Sequence, residues 1–342
     1  MVLFWHVMRY YRQVPSAEVP TFWPLSFLQE GHTGVALFMV LSGYIFWTLC
    51  RNREVEYAKF IRNRILRIAP LFVFWMLLYF YTGDIDPTKL FLAIASLLNK
   101  GTVPGNGWTI IVEFQFYLLL PFLLLFSRKY GLRYLVGLLL LSTFFRWTVW
   151  FTSGTVHDLA YSTIFGRMDQ FLFGMIACEI ATRHRKLFQS RILFAALLVA
   201  WVAVFHEFDE IGGFFDNTGG YPSSSSVWVY WPFLEGLFYA FITASYLGVN
   251  IPLPRSADKL LAWLGALSYS LYLNQNFAIV ITHKFFKAAG WETAGLSNAL
   301  IFGALGVFPV LVALSAATYY LIERPFLLLR TPYLKPMADA KE

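Results

Sequence analysis

Apolar runs of about 18 to 25 residues recur from one end of the chain to the other, each long enough for a helix to cross a hydrocarbon layer about 30 Å thick. Of the 342 residues, 58% are hydrophobic and 14% charged, against about 45–50% and about 25% in an ordinary soluble domain. A water-soluble core cannot bury that excess. The chain therefore reads as an all-α, polytopic integral membrane helix bundle, because a backbone surrounded by lipid must satisfy its hydrogen bonds within itself. The net charge of +7 is not a nucleic-acid footprint, since the basic residues lie in short clusters between apolar runs rather than on one basic domain. Membrane lipid is the expected surroundings, and no nucleic acid is expected. Cys50 and Cys178 alone make neither a disulfide framework nor a zinc site.

Ten apolar segments are predicted, at 1–10, 33–50, 70–82, 107–127, 132–151, 162–181, 191–206, 226–249, 261–281 and 297–321. Cytoplasmic loops retain Lys and Arg, so sorting the 27 basic residues by alternate loops tests both count and direction. One set of loops, at 51–67, 128–133, 183–191, 255–259 and beyond 323, holds nineteen of them. The other set holds Arg9, Arg12, Lys89, Lys100, Lys284 and Lys287, while Arg146 and Arg167 fall inside spans. The alternation stays in phase, which predicts about ten transmembrane helices with both termini cytoplasmic. Gly-, Pro- and Ser-rich stretches at 14–24, 84–107 and 207–226 read as extracytoplasmic lids or mouths. The expected organisation is one membrane domain, residues 1–326, followed by a cytoplasmic tail, 327–342. The first segment is short: only Met1 to Val7 and Met8 precede Arg9. It reads as a truncated first helix, with an interfacial half-helix as the alternative.

An ionisable residue inside a span costs about 2.5 kcal/mol or more to insert and is by default a functional candidate. At about 1.5 Å per residue, Glu113, Arg167 and Asp169 sit roughly 8 to 10 Å in from the outer ends of their spans, with Arg146 and His6 near the outer ends of theirs. These form one outer-half polar layer. A mid-membrane group, Tyr269, Ser270, Tyr272, Asn274, Gln275 and Asn276, lies in the ninth segment, where helix-to-helix hydrogen bonding is the competing reading. Arg64 and Arg67, three apart, share a helix face and suit a polyanion at the cytoplasmic surface, with Arg62 and Arg53 nearby. Positive-inside charge alone would also explain them. His32, His157, His184, His206 and His283 fall in loops or at interfaces. No histidine and carboxylate spacing suits a metal, so no metal is expected.

Six ordered stretches then carry a family resemblance. Gly34-Val-Ala-Leu-Phe-Met-Val-Leu-Ser-Gly-Tyr44 and Phe60-Ile-Arg-Asn-Arg-Ile-Leu-Arg-Ile-Ala-Pro70 resemble the G-V-D-L-F-F-V-L-S-G-F and F-L-x-R-R-x-x-R-I-x-P signature of the acyltransferase-3 family of membrane O-acyltransferases. Trp108-Thr-Ile-Ile-Val-Glu113-Phe-Gln-Phe-Tyr117, Arg167-Met-Asp169-Gln-Phe-Leu-Phe-Gly174, Ser268-Tyr-Ser-Leu-Tyr-Leu273 and Glu323-Arg-Pro325 follow in the family's order. The resemblance spans residues 2 to about 326. It implies that His6, ending Val2-Leu-Phe-Trp-His6, is catalytic, and that Arg64-x-x-Arg67 is associated with the acyl donor. The sequence departs from the pattern at Ala36, where Asp is usual, at Gln275, where His is common, and in having no arginine upstream of His6.

The resemblance further implies a multi-pass protein of the bacterial inner membrane that moves an acyl group, acetyl being the commonest, from cytoplasmic acyl-CoA to a hydroxyl of an extracytoplasmic or lipid-linked glycan. Arg62, Arg64 and Arg67 are the expected donor-binding residues. His6 is expected to act as general base or to carry the acyl group transiently, with Glu113 orienting it or the acceptor hydroxyl. Arg167 and Asp169 are expected to brace each other or line the acceptor site, sharing that work with Arg146 and Asn274. A transporter of anionic lipid or sugar, or an inactive paralogue serving as a membrane partner, is the non-catalytic alternative.

Overall fold

The computed structural model describes residues 1–10, 30–82, 88, 107–211, 213–214, 222–291 and 295–336, excepting the side chains of Arg9 and Tyr10. The described residues are mostly helical: α1 (Val2–Tyr10), α2 (Gly34–Cys50), α3 (Tyr57–Tyr81), α4 (Trp108–Tyr130), α5 (Leu132–Ser153), α6 (His157–Ser162), α7 (Ile164–Arg183), α8 (Arg191–Glu210), α9 (Trp231–Val249), α10 (Arg255–Ala266), α11 (Ser268–Ala288) and α12 (Leu296–Leu327). Among the described residues, seven helical segments, those containing α2, α3, α4, α5, α8, α9 and α12, are long and apolar enough to cross a membrane. Helices α7 and α11 have comparable length, 20 and 21 residues, but carry more polar side chains. Of the lid-like stretches predicted at 14–24, 84–107 and 207–226, the first lies wholly and the second almost wholly outside the described residues, as do 212 and 215–221 of the third.

Two boundaries differ from the sequence expectation. The third segment, predicted to start at 70, starts at Tyr57, so the basic stretch is the first half of the same 25-residue helix and Pro70 is accommodated within it. The ninth segment is two helices, because the chain breaks at Leu267 between amphipathic α10, none of whose residues is buried, and α11. Within the stretch expected as a tail, the described residues up to Pro336 are held to the bundle: β2 (Leu334–Pro336) pairs antiparallel with β1 (Arg53–Val55), with Glu54 opposite Lys335, and the Glu56 N–H donates to the Tyr333 carbonyl at 2.9 Å.

The chain divides into two compact units. The first comprises residues 1–20, 62–110 and 252–331, hence α1, most of α3, and α10 to α12. In it, α11 packs on α12, and Phe4 and Val7 of α1 sit over Gly303. The 32-residue α12 is wound as π-helix at Phe302–Val307 and Tyr319–Glu323, an insertion often found at functional positions.

The second unit comprises residues 21–61, 111–251 and 332–342, and α7 is its central helix. Twelve of its residues, Gly166, Arg167 and Asp169 through Cys178, are buried, whereas α5 buries only Leu135, Leu139 and Arg146. Those three recur at spacings of four and seven, so the one charge in the middle of α5 shares the stripe turned to protein, and Leu140, Leu141, Phe144 and Phe151 face outward. The approach of α2 to α7 rests on the glycines of two of the motifs. A Cβ on Gly43 would stand 2.0 Å from the Phe171 carbonyl oxygen, and one on Gly174 2.1 Å from that of Val40. Small residues allow helix backbones in a membrane to approach this closely.

Because the colliding atom is backbone, Gly174→Ala is expected to destabilise the protein by about 3 kcal/mol. Gly137→Ala, on an open face of α5, is expected to be neutral or slightly stabilising. Thermal unfolding of the two variants in detergent checks this pair of outcomes.

Candidate active site

In the first unit the catalytic candidate is His6. Its Nδ1 lies 2.8 Å from the Val2 carbonyl oxygen one turn back. A carbonyl can only accept, so Nδ1 carries the proton, and in the neutral ring Nε2 is the nitrogen that can take one. The Trp5 ring meets the imidazole edge-on at 4.7 Å.

The three arginines of α3 are not equivalent. Arg64 and Arg67 share a face and are both half-buried, while Arg62 is exposed about 160° away around the helix. There Arg62 Nη1 reaches the Thr331 hydroxyl at 3.4 Å, and the intervening Asn63 is pinned to the Thr331 backbone through Nδ2 at 2.6 Å and Oδ1 at 3.2 Å. Arg67 donates to Glu323 at 2.9 Å and lies 5.5 Å over the Tyr269 ring.

From Arg67 a hydrogen-bonded chain runs through the first unit. Ser270 bonds the other oxygen of Glu323. The Thr318 hydroxyl lies 3.2 Å from that of Ser270 and accepts from Asn274 Nδ2 at 2.8 Å. Asn274 Oδ1 accepts from the Trp75 indole at 3.0 Å. Thus the R-x-x-R, S-Y-S-L-Y-L and E-R-P stretches, up to 256 residues apart in sequence, meet in one polar network. Asn274 is its branch point.

In the second unit the expected bracing of Arg167 by Asp169 does not occur. Residues two apart on a helix point about 200° away from each other. Asp169 instead pairs with Arg146 of α5 at 2.6 Å and accepts from Ser142, and Arg167 pairs with Glu235 of α9 at 3.1 Å. All four side chains are fully buried. Arg146 also donates to the Val229 carbonyl at 2.8 Å, and Arg167 to that of Tyr161 at 2.6 Å, with its guanidinium 4.5 Å over the Tyr161 ring. Glu235 further accepts from Gln170 at 3.1 Å and from Thr33 at 2.8 Å. Buried Glu113 accepts from Tyr117, one turn along α4.

Sequence reasoning missed Glu235, although an acid within an apolar run is itself the signal. It also passed over His32 and His157. His32 Nε2 lies 2.7 Å from Glu30 Oε2 with both side chains enclosed. His157 stacks on Trp228 at 4.0 Å and accepts from the Ser223 N–H at 2.8 Å. Burial first, then the neighbouring His32 and Arg167, push the His157 pKa from 6.5 down to about 3. Among the described residues no group of three His, Cys, Asp or Glu side chains is arranged to hold a metal ion.

A family model described as an acyltransferase domain matches residues 1–320. The chain is 26% identical over 261 residues to a putative acetyltransferase, ORF330, of Acidianus two-tailed virus, covering 73% of this chain and 74% of that protein. It is 25% identical over 317 residues to the exopolysaccharide production protein ExoZ of Rhizobium meliloti (strain 1021), covering 87% and 90%. No solved structure matches.

The folded protein keeps His157 neutral down to about pH 3, whereas the unfolded chain takes up a proton near pH 6.5. Stability contributed by this site is therefore complete above pH 6.5 and declines as pH falls toward 3. The thermal midpoint of the unaltered protein should drop between pH 6.5 and 5 more steeply than that of His157→Gln; parallel curves would contradict this.

Proposed function

The chain belongs to the acyltransferase domain family matched by residues 1–320, and from that premise we propose that this membrane acyltransferase takes an acyl group, acetyl in the first instance, from cytoplasmic acyl-CoA. The acceptor is a hydroxyl of an extracytoplasmic or lipid-linked glycan. The observation that carries the chemistry is the hydrogen bond from His6 Nδ1–H to Val2, which leaves the basic lone pair on Nε2. In the proposed reaction the acceptor oxygen attacks the thioester carbonyl carbon. A C–O bond forms and the C–S bond breaks, the hydroxyl proton passes to Nε2, and the imidazolium returns it to the departing thiolate. If Nε2 attacks first, its lone pair forms the C–N bond and the C–S bond breaks to release the thiolate; the acceptor oxygen then takes the acyl group, the C–N bond breaks to restore the Nε2 lone pair, and the hydroxyl proton passes to the thiolate.

Donor binding is assigned to the cytoplasmic end of α3. Arg64 and Arg67 present guanidinium groups suited to phosphate oxygens, and Arg62 contributes charge from the other side of the helix. The topology underlying this reading is ten crossings with both ends in the cytoplasm, supported by the basic residues at 51–67, 128–133, 183–191 and 255–259. Arg146, Arg167 and Asp169 are assigned an indirect part in acceptor handling. Their ion pairs hold the outer half of α7 in place, since breaking a buried pair costs about 3–5 kcal/mol. Glu113 is assigned to orienting a reacting hydroxyl, and Asn274 to holding the network around Glu323. The relative named for exopolysaccharide production supports a glycan acceptor, and the one named an acetyltransferase supports acetyl as the group moved.

In reconstituted protein with radiolabelled acetyl-CoA and glycan acceptors, His6→Ala should lower transfer by at least about 100-fold without changing acetyl-CoA affinity. Arg64→Ala combined with Arg67→Ala should weaken acetyl-CoA binding about ten-fold or more while membrane insertion is intact. Transfer retained by the first variant removes His6 from the mechanism; binding unchanged in the second returns these arginines to topology alone.

A further inference from the structure

On the outer side of the Trp75–Asn274 hydrogen bond, the first unit contains a cavity of about 20 Å³ lined by Phe72, Trp75, Met76 and Tyr79 of α3 and by Leu273 and Asn276 of α11. The α3 residues recur at i, i+3, i+4 and i+7, one face of the helix. Arg64 lies within about 20° of Trp75 and about 60° of Tyr79 around that helix, at 100° per residue. One stripe of α3 therefore carries a cationic group at its cytoplasmic end and an aromatic cavity farther along, with Trp75 about 12 Å beyond Arg67 at 1.5 Å per residue. A ligand suited to both ends has an anionic head, an extended arm and a small apolar tip.

Besides the indole that faces Asn274, the polar groups of the described lining are the Tyr79 hydroxyl, the Gly107 backbone and the Asn276 amide. Asn276 Oδ1 is buried and, among the described residues, accepts no hydrogen bond. An unpaired buried acceptor costs about 1–3 kcal/mol, and a ligand N–H would satisfy it. In acyl-CoA the arm has an amide N–H two carbons from the sulfur, immediately before the thioester. The volume is of the order that one or two water molecules fill. It suits a methyl and carbonyl better than a fatty chain.

We propose that this cavity between α3 and α11 seats the thioester end of the donor, with Asn276 receiving the arm's amide, and that Met76 and Leu273 restrict the transferred group to acetyl. The inference rests on the acyl-CoA donor reading above and adds the location and size limit of the acyl subsite. It makes Met76 and Leu273 specificity-determining residues. Neither takes part in the hydrogen-bonded network.

The test is the ratio of kcat/KM for butyryl-CoA to that for acetyl-CoA, measured on one preparation so that any loss of folded protein cancels. The unaltered protein should prefer acetyl-CoA by about ten-fold or more, the discrimination that small changes in an apolar pocket supply. Met76→Ala and Leu273→Ala should each raise the ratio at least about ten-fold, while Leu305→Ala, a side chain 75% exposed on α12, should leave it unchanged. Asn276→Leu should raise KM for acetyl-CoA with kcat nearly intact. Equal use of both donors by the unaltered protein, or an unchanged ratio in an opening variant that still transfers acetyl, overturns the subsite. Absence of transfer from any acyl-CoA by the unaltered protein would instead overturn the donor reading itself.

Discussion

A charge inside a membrane bundle persists only with a partner, and that requirement organises the second unit. Arg167 and Asp169 lie two residues apart on α7 and point to opposite sides of it. Each needs its own counter-ion, so α7 must have an acid on one flank and a guanidinium on the other. Glu235 of α9 and Arg146 of α5 are those partners, and they explain why the least apolar long helix of this unit is its core while apolar α5 faces outward. The close approach of α2 through Gly43 and Gly174 completes the burial. Replacing a buried ion pair by apolar side chains is often neutral for stability, so these pairs make most sense as devices that fix the rotation of α7.

The first unit applies the same rule to a different purpose. Arg67, Glu323, Ser270, Thr318, Asn274 and Trp75 form a continuous chain, leading from a half-exposed guanidinium toward the middle of the bundle. Its charged end suits a phosphate-bearing donor. The neutral end adjoins the cavity at Trp75 and Asn276, where a thioester would meet a neutral hydrogen-bonding surface instead of a charge.

Much of this was legible in the sequence, and the failures have physical causes. Apolar run length pointed to an all-α membrane bundle because lipid leaves few alternatives, although seven of the ten expected segments qualify as spans among the described residues; the ordered motifs singled out Arg64, Arg67, Glu113, Arg167, Asp169 and Glu323. Run length misplaced the start of α3, since a helix does not end where it leaves lipid and the basic turns before Pro70 continue it. It also merged α10 with α11, because an amphipathic helix and a span read as one apolar stretch across Leu267. Pairing was the largest gap. Nothing in spacing links Arg146 to Asp169 or Arg167 to Glu235, because those contacts depend on which helices adjoin α7. His157 was passed over because its burial comes from Trp228 and Phe214, residues distant in sequence.

The proposed reaction is transfer across the membrane, from a donor bound at the basic end of α3 to an acceptor on the opposite side. Sealed vesicles holding the protein in a known orientation, with labelled acetyl-CoA supplied to one face and a glycan acceptor to the other, test it most directly. Label should reach the acceptor only when acetyl-CoA is on the face where Arg64 and Arg67 emerge. Equal labelling with acetyl-CoA on the opposite face would contradict it.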